Sequence, residues 1–154
     1  MRGGGTATLV SATPSAGVSA QFFDILEPKG RTLLKRFSAQ RKNDWRALQI
    51  WQILIAAAYN RQILTYGILA KRLGYKGAGV FGSQLGHVAF YCKQNGLPPL
   101  TSLVVNEKTG LPGEGIPADD TAARREAVFR FNWFDIVPPQ PSELREAYLI
   151  GMKG

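Results

Sequence analysis

The chain holds one cysteine, Cys92, and one histidine, His87. A single thiol cannot close an internal disulfide, and cysteine this scarce fits a reducing, cytoplasmic setting. Zinc bound by thiols and imidazoles is excluded too, because carboxylates would have to complete the ligand set and none cluster with the two. Long apolar runs are also missing. The longest, Ile53 to Ala58, falls far short of the roughly 20 residues of a bilayer span. Residues 1–20 contain no apolar stretch of about 7 residues, so a secretory signal is not expected there. There is no internal repeat and no Gly-x-x-x-x-Gly-Lys phosphate loop, and Ser102, His87 and the carboxylates lack the spacing of a triad. No cofactor is expected.

Acidic residues are scarce in one region above all. Residues 28–93 carry twelve Lys or Arg against one acid, Asp44, a net +11. Residues 1–27 sum to −1 and residues 94–154 to −2, so the formal charge of +8 comes wholly from the middle of the chain. Clustered Lys and Arg displace condensed counterions from phosphates, which makes a polyanion the natural partner. A solvated surface with no partner is the plainer alternative. An anionic membrane fits less well, because the cations form no amphipathic stripe opposite large apolar residues.

What is present is an ordinary globular composition, 45% hydrophobic and 19% charged over 154 residues, enough for one domain with a core. Residues 1–20, rich in Gly, Ala, Ser and Thr, read as a disordered tail. Residues 21–42 read as a basic N-terminal extension in which Leu33, Leu34 and Phe37 line a short helix. From Asn43 or Asp44, either of which can cap, Leu48, Trp51, Leu54, Ile55 and Ala58 recur at helical spacing, with Arg46, Gln49 and Gln52 on the other side. A second short helix is capped by Thr65, apolar at Leu69 and Leu73, and ended by Gly74. A third runs from about Gly77 to Gln94 and is closed by Gly96, Pro98 and Pro99, giving helix-turn-helix spacing. Leu100–Asn106, the turn 107–110 and Leu111–Ile116 read as a hairpin. Asp119 or Asp120 begins another helix reaching about Phe131. Phe129, Phe131, Trp133, Phe134 and Ile136 then fold back on the core, and Ser142 caps a last helix. The expected fold is mainly α with a small β-hairpin: a winged helix-turn-helix at 43–117 between the N-terminal segments and a C-terminal helical extension at 118–154.

Residues from about Ile50 to Ile116 resemble the winged-helix domain of alkylguanine-DNA alkyltransferases and of the catalytically silent alkyltransferase-like proteins. The resemblance rests on Ile50-Trp51, on Thr65-Tyr66-Gly67 with Leu69-Ala70 and Leu73-Gly74, on the Gly-rich opening of the third helix, and on Val104-Val105-Asn106 before a turn and Gly110. It implies duplex DNA as ligand, with Tyr66 at the position that contacts the backbone beside the target nucleotide. The family's Pro-Cys-His-Arg is absent: Leu100-Thr101-Ser102-Leu103 stands there, with Thr101 at the nucleophile's position. The family's early recognition-helix arginine falls near Gly79, and no Arg lies between Gly77 and Tyr91. Without thiol and base, alkyl transfer has no acceptor, and without a wedge, base flipping has no obvious agent. Cys92, spaced with Leu85 and Val88, reads as a buried, inert thiol. No enzymatic activity is expected.

The candidate DNA-binding residues follow. Thr65 and Tyr66 stand at a helix start whose free N–H groups suit a phosphate, and Tyr66 reads equally as a half-buried core tyrosine. Lys71, Arg72 and Lys76 supply charge that positions a duplex without reading it. Gly79, Ser83 and His87 step along one side of the third helix with Gln84 beside them, away from Phe81, Leu85, Val88 and Cys92. Gln and Ser can contact base edges, whereas His87 reads equally as a surface residue. The glycines at 77, 79 and 82 imply a close backbone approach, to phosphate or to a packed neighbour. Asn106 stands at the root of the wing, or simply opens a turn. A protein partner is the alternative to DNA, with the aromatic segment Phe129 to Pro139 as its anchor.

Overall fold

The structure is a computed structural model that describes residues 34–37, 43–77, 81–113 and 120–154. Compact units comprise residues 1–39 and 40–154. In the first, Leu34 to Phe37 is coil, and Leu34 is exposed. The helix expected to include Leu34 and Phe37 is therefore not formed there. The expectations for residues 1–20, for the remainder of 21–42, for Gly79 and for 114–119 lie outside the described residues.

Helices dominate the second unit. Helix α1, Asn43–Tyr59, buries Ala47, Ile50, Trp51, Leu54, Ala57 and Ala58 along one face. Its start is held by Asp44, whose carboxylate accepts from the Trp45 N–H at 3.0 Å and lies 3.6 Å from Arg145. Its end is an uncommon one. Arg61 adopts a left-handed φ of 54°, a conformation that disfavours side chains with a Cβ by roughly 1–2 kcal/mol. The guanidinium is tied to Glu126 at 2.6 Å and lies 4.8 Å from the centre of the Phe129 ring.

Strand β1, Leu64–Thr65, leads directly into α2, Tyr66–Leu73. Thr65 caps α2 by accepting from the Ile68 N–H at 3.1 Å, and Gly74 ends it at φ 74°. Leu69, Ala70 and Leu73 face inward. Helix α3 spans Gly82–Gln94, later than its glycine-rich opening suggested. Gly77 lies in coil, and the stretch of sequence between the end of α2 at Leu73 and the start of α3 at Gly82 is longer than a helix-turn-helix corner of about 3–4 residues. Each helical Gly loses about 1 kcal/mol relative to Ala, so a segment this rich in Gly resists helix formation. Tyr75 and Phe81, one near each end of the connection, meet edge to face at 5.1 Å.

The expected first wing strand is mostly a 3-10 turn, Leu100–Leu103, before the two-residue strand β2, Val104–Val105. Strand β2 pairs in parallel with β1, Leu64 opposite Val104 and Thr65 opposite Val105, which the sequence did not suggest. The chain then reverses. Asn106 donates its N–H to Leu111 O, Gly110 donates back to Asn106 O, and one antiparallel bridge joins Val105 to Pro112. Proline lacks the N–H that would extend this ladder.

Helix α4, Thr121–Arg130, and α5, Pro141–Gly151, complete the unit. The cap of α5 is Gln140, in a reciprocal box with Glu143 and with Pro141 following, so Ser142 is not the cap. The core centres on Trp51, met edge-on by Tyr91 and Trp133 at 5.6 Å each. Such ring pairs add about 0.5–1.5 kcal/mol beyond area burial. Leu144 of α5 and Val128 of α4 belong to the same cluster as Val88 and Cys92 of α3. Phe129, Phe131, Trp133 and Ile136 pack on it as expected, but Phe134 is 63% exposed against Tyr59. No helix among the described residues is long and apolar enough to cross a membrane.

Candidate nucleic-acid interface

The parallel pairing of β1 with β2 brings two distant candidates together. Thr65 lies opposite Val105, so the next residue on each strand, Tyr66 and Asn106, leave the sheet side by side. With Gly67, Glu107 and Lys108 they line a recess of about 300 Å³. Tyr66 leans across to the returning chain, where its hydroxyl hydrogen-bonds the Gly113 backbone. A Cβ at position 113 would stand 2.5 Å from that hydroxyl, so a larger residue there would push the Tyr66 ring tip aside. Partial burial raises the Tyr66 pKa, with the Gly113 hydrogen bond opposing. The group is a neutral phenol at physiological pH.

Asn106 has a structural task in this recess. Its side-chain oxygen accepts from the Lys108 N–H at 2.8 Å and the Thr109 N–H at 3.4 Å, forming the turn. Arg125 of α4 clamps the same loop from behind, donating to Ser102 O at 3.1 Å and Gly110 O at 3.0 Å. Its partial burial lowers its pKa. Lys108 was missed in the sequence because its place depends on a strand pairing that two-residue strands barely signal.

The opposite end of α2 carries the charge. Lys71, Arg72 and Lys76 are exposed, and none makes an ion pair with another described residue. Asp44, the single acid of the basic segment, is buried beside Arg145. Lys71 and Arg72 stand five and six residues along α2 from Tyr66, a rise of roughly 7.5–9 Å.

On the side of α3 expected to read bases, Ser83 is half-buried and Gln84 and His87 are buried. Gln84 is 7% exposed and His87 4%. The His87 ring stacks on Tyr148 of α5 at 4.3 Å and 10°, and its Nδ1 lies 2.7 Å from Ser83 O. The Gln84 amide donates to Asn43 of α1 at 3.1 Å, while its Oε1 is buried without a partner. Asn43 also reaches Ser83 Oγ at 3.3 Å. Helix α5 seals this side because glycines let it come close. A Cβ on Gly86 would press into the Tyr148 ring, and one on Gly151 into Phe90. An extension expected to pack on the core thus covers the helix side expected to face a ligand.

The position expected to match the family's nucleophile lies in the 3-10 turn. Thr101 is half-buried in the 3-10 turn, and Ser102 is fully buried with its hydroxyl unpartnered. Cys92 is 1% exposed, and burial pushes its thiol up to about 11. Among the described residues no three His, Cys, Asp or Glu side chains could hold a metal ion. Compared with protein-family models, curated proteins and solved structures, the chain has no match.

Proposed function

We propose that the protein is a non-enzymatic DNA-binding protein of winged-helix type, which holds duplex DNA by its phosphates along α2. Support comes chiefly from one observation: Lys71, Arg72 and Lys76 are exposed and unpaired among the described residues, on and just after a helix whose other end carries the Tyr66 recess. Such cations release counterions on meeting phosphate, which supplies affinity without regard to sequence. Thr65, Tyr66 and Lys108 hold a second stretch of backbone. Base reading by Gln84 and His87 drops out of the proposal, since both are buried. The protein therefore discriminates little among sequences. Fluorescence anisotropy with two unrelated labelled duplexes, titrated across salt, tests this. The expected result is similar affinity for both and a steep loss with salt. Absent binding at low salt, or binding indifferent to salt, refutes it.

A further inference from the structure

Beside α2, on the side facing α1, lies a groove of about 410 Å³ lined by Gln49, Gln52, Ile53, Ala56, Arg72 and Leu73. Its floor is apolar, formed by Ile53, Ala56 and Leu73, and its walls are polar. Gln52, Ala56 and Arg72 are exposed, so one side is open to solvent. The wall carries one cation, Arg72, and two neutral amides, Gln49 and Gln52. Arg46 donates to the Gln49 side-chain oxygen at 2.7 Å, which leaves the Gln49 NH₂ for the groove. Arg72 offers only donors, and Gln52 carries both a donor and an acceptor. Arg46 is itself held against the Tyr75 ring at 5.1 Å, which keeps Gln49 in this orientation. Among the described residues no Asp or Glu lines the groove, and the one acid on α1 or α2, Asp44, is buried beside Arg145.

A cation with no facing acid among the described lining residues, set beside an apolar floor, suits a ligand that joins an anionic acceptor to an apolar group. A nucleic-acid backbone supplies acceptors but no aliphatic side chain for the Ile53–Leu73 floor. An acidic peptide supplies both. We infer that the α1–α2 groove docks an acidic, apolar-containing peptide segment of a partner protein, its carboxylate on Arg72 and Gln49 and its apolar side chain over Ile53 and Ala56. Carboxylate and guanidinium pair in a fork that neutral groups do not reproduce. The inference shares Arg72 with the DNA reading, while Lys71, Lys76 and the Tyr66 recess take no part in it. The groove-filling Ala56→Trp variant leaves Arg72 in place and so tells the two apart.

The test uses the full chain and a short, capped, fluorescein-labelled peptide alternating Asp or Glu with Leu, beside a control in which every carboxylate is an amide. Ala56→Trp fills the groove from an exposed helix position without changing charge, and its fold is checked by circular dichroism. The expected result is salt-sensitive binding of the acidic peptide that weakens about tenfold, roughly 1.4 kcal/mol, in the amide control and in Ala56→Trp. Arg72→Ala weakens it as well, while Ala56→Trp binds duplex DNA as the unaltered chain does. Equal peptide affinity in Ala56→Trp, or no peptide binding at all, overturns the inference. So does an Ala56→Trp variant that loses duplex binding, because the groove would then belong to the nucleic-acid face.

Discussion

Helices α2 and α3 each show polar residues at helical spacing, yet they meet solvent in opposite ways. On α2 the polar residues are Lys71 and Arg72, and both are exposed. On α3 the expected reading residues Gln84 and His87 are buried, under α5 and against α1, while Ser83 is half-buried. The exposed polar residues of α3, Lys93 and Gln94, lie in its last turn. The difference lies in charge. An unpaired ammonium or guanidinium is expensive to bury, so its outward position is nearly assured. A neutral amide or imidazole can be buried at small net cost once hydrogen-bonded or stacked. Formal charge therefore marks an outer face from sequence alone, and neutral polarity does not.

The largest effect that could break this comparison is on stability. His87→Ala removes a buried ring stacked on Tyr148 and the contact of its Nδ1 with Ser83 O. A loss of about 2 kcal/mol is expected, in the range of core truncations, read as a lower urea midpoint with unchanged duplex affinity. Undiminished stability with an altered preference among DNA sequences would return His87 to an open reading face.

A smaller effect sharpens the same comparison at Cys92, whose thiol burial pushes from an ordinary 9.0 up to about 11. The folded state keeps the thiol proton where the unfolded chain loses it. The resulting contribution is complete below the ordinary thiol value and is lost as pH rises through about 11. Tyr66 and Tyr91, both raised by burial, add to the same alkaline loss. Denaturation profiles across this interval should fall less steeply for Cys92→Ala than for the unaltered chain. Identical slopes would mean that the thiol reaches water.

Much of the helical framework was legible in the sequence. Thr65 as a cap and Gly74 as a left-handed stop were readable because each follows from local backbone chemistry. The inward line of Trp51, Leu54 and Ala58 was readable from its period. The β1–β2 pairing was not, because two-residue strands carry no alternation to detect. With it went the meeting of Tyr66 with Lys108, while Asn106 was found through a resemblance to a family motif. The burial of Gln84 and His87 was hidden for another reason. It depends on Gly86 and Gly151 admitting an aromatic ring from another helix, a tertiary approach no single helix announces. Ser142 was chosen as a cap on its propensity, but Gln140 won because Pro141 and Glu143 completed a box around it.

If α2, and not the polar side of α3, meets the duplex, one measurement separates the two helices. It compares salt-dependent duplex binding of the Lys71→Ala, Arg72→Ala, Lys76→Ala triple variant with that of a Ser83→Ala, Gln84→Ala double variant. Removing one cation from a phosphate flattens the log–log salt slope by roughly 0.9, so the triple variant should flatten it by about 2.7 for any duplex sequence. The double variant should keep the slope and bind unrelated duplexes as evenly as the unaltered chain does. An unchanged slope in a folded triple variant, together with altered sequence preference in the double variant, would contradict this and put α3 at the DNA.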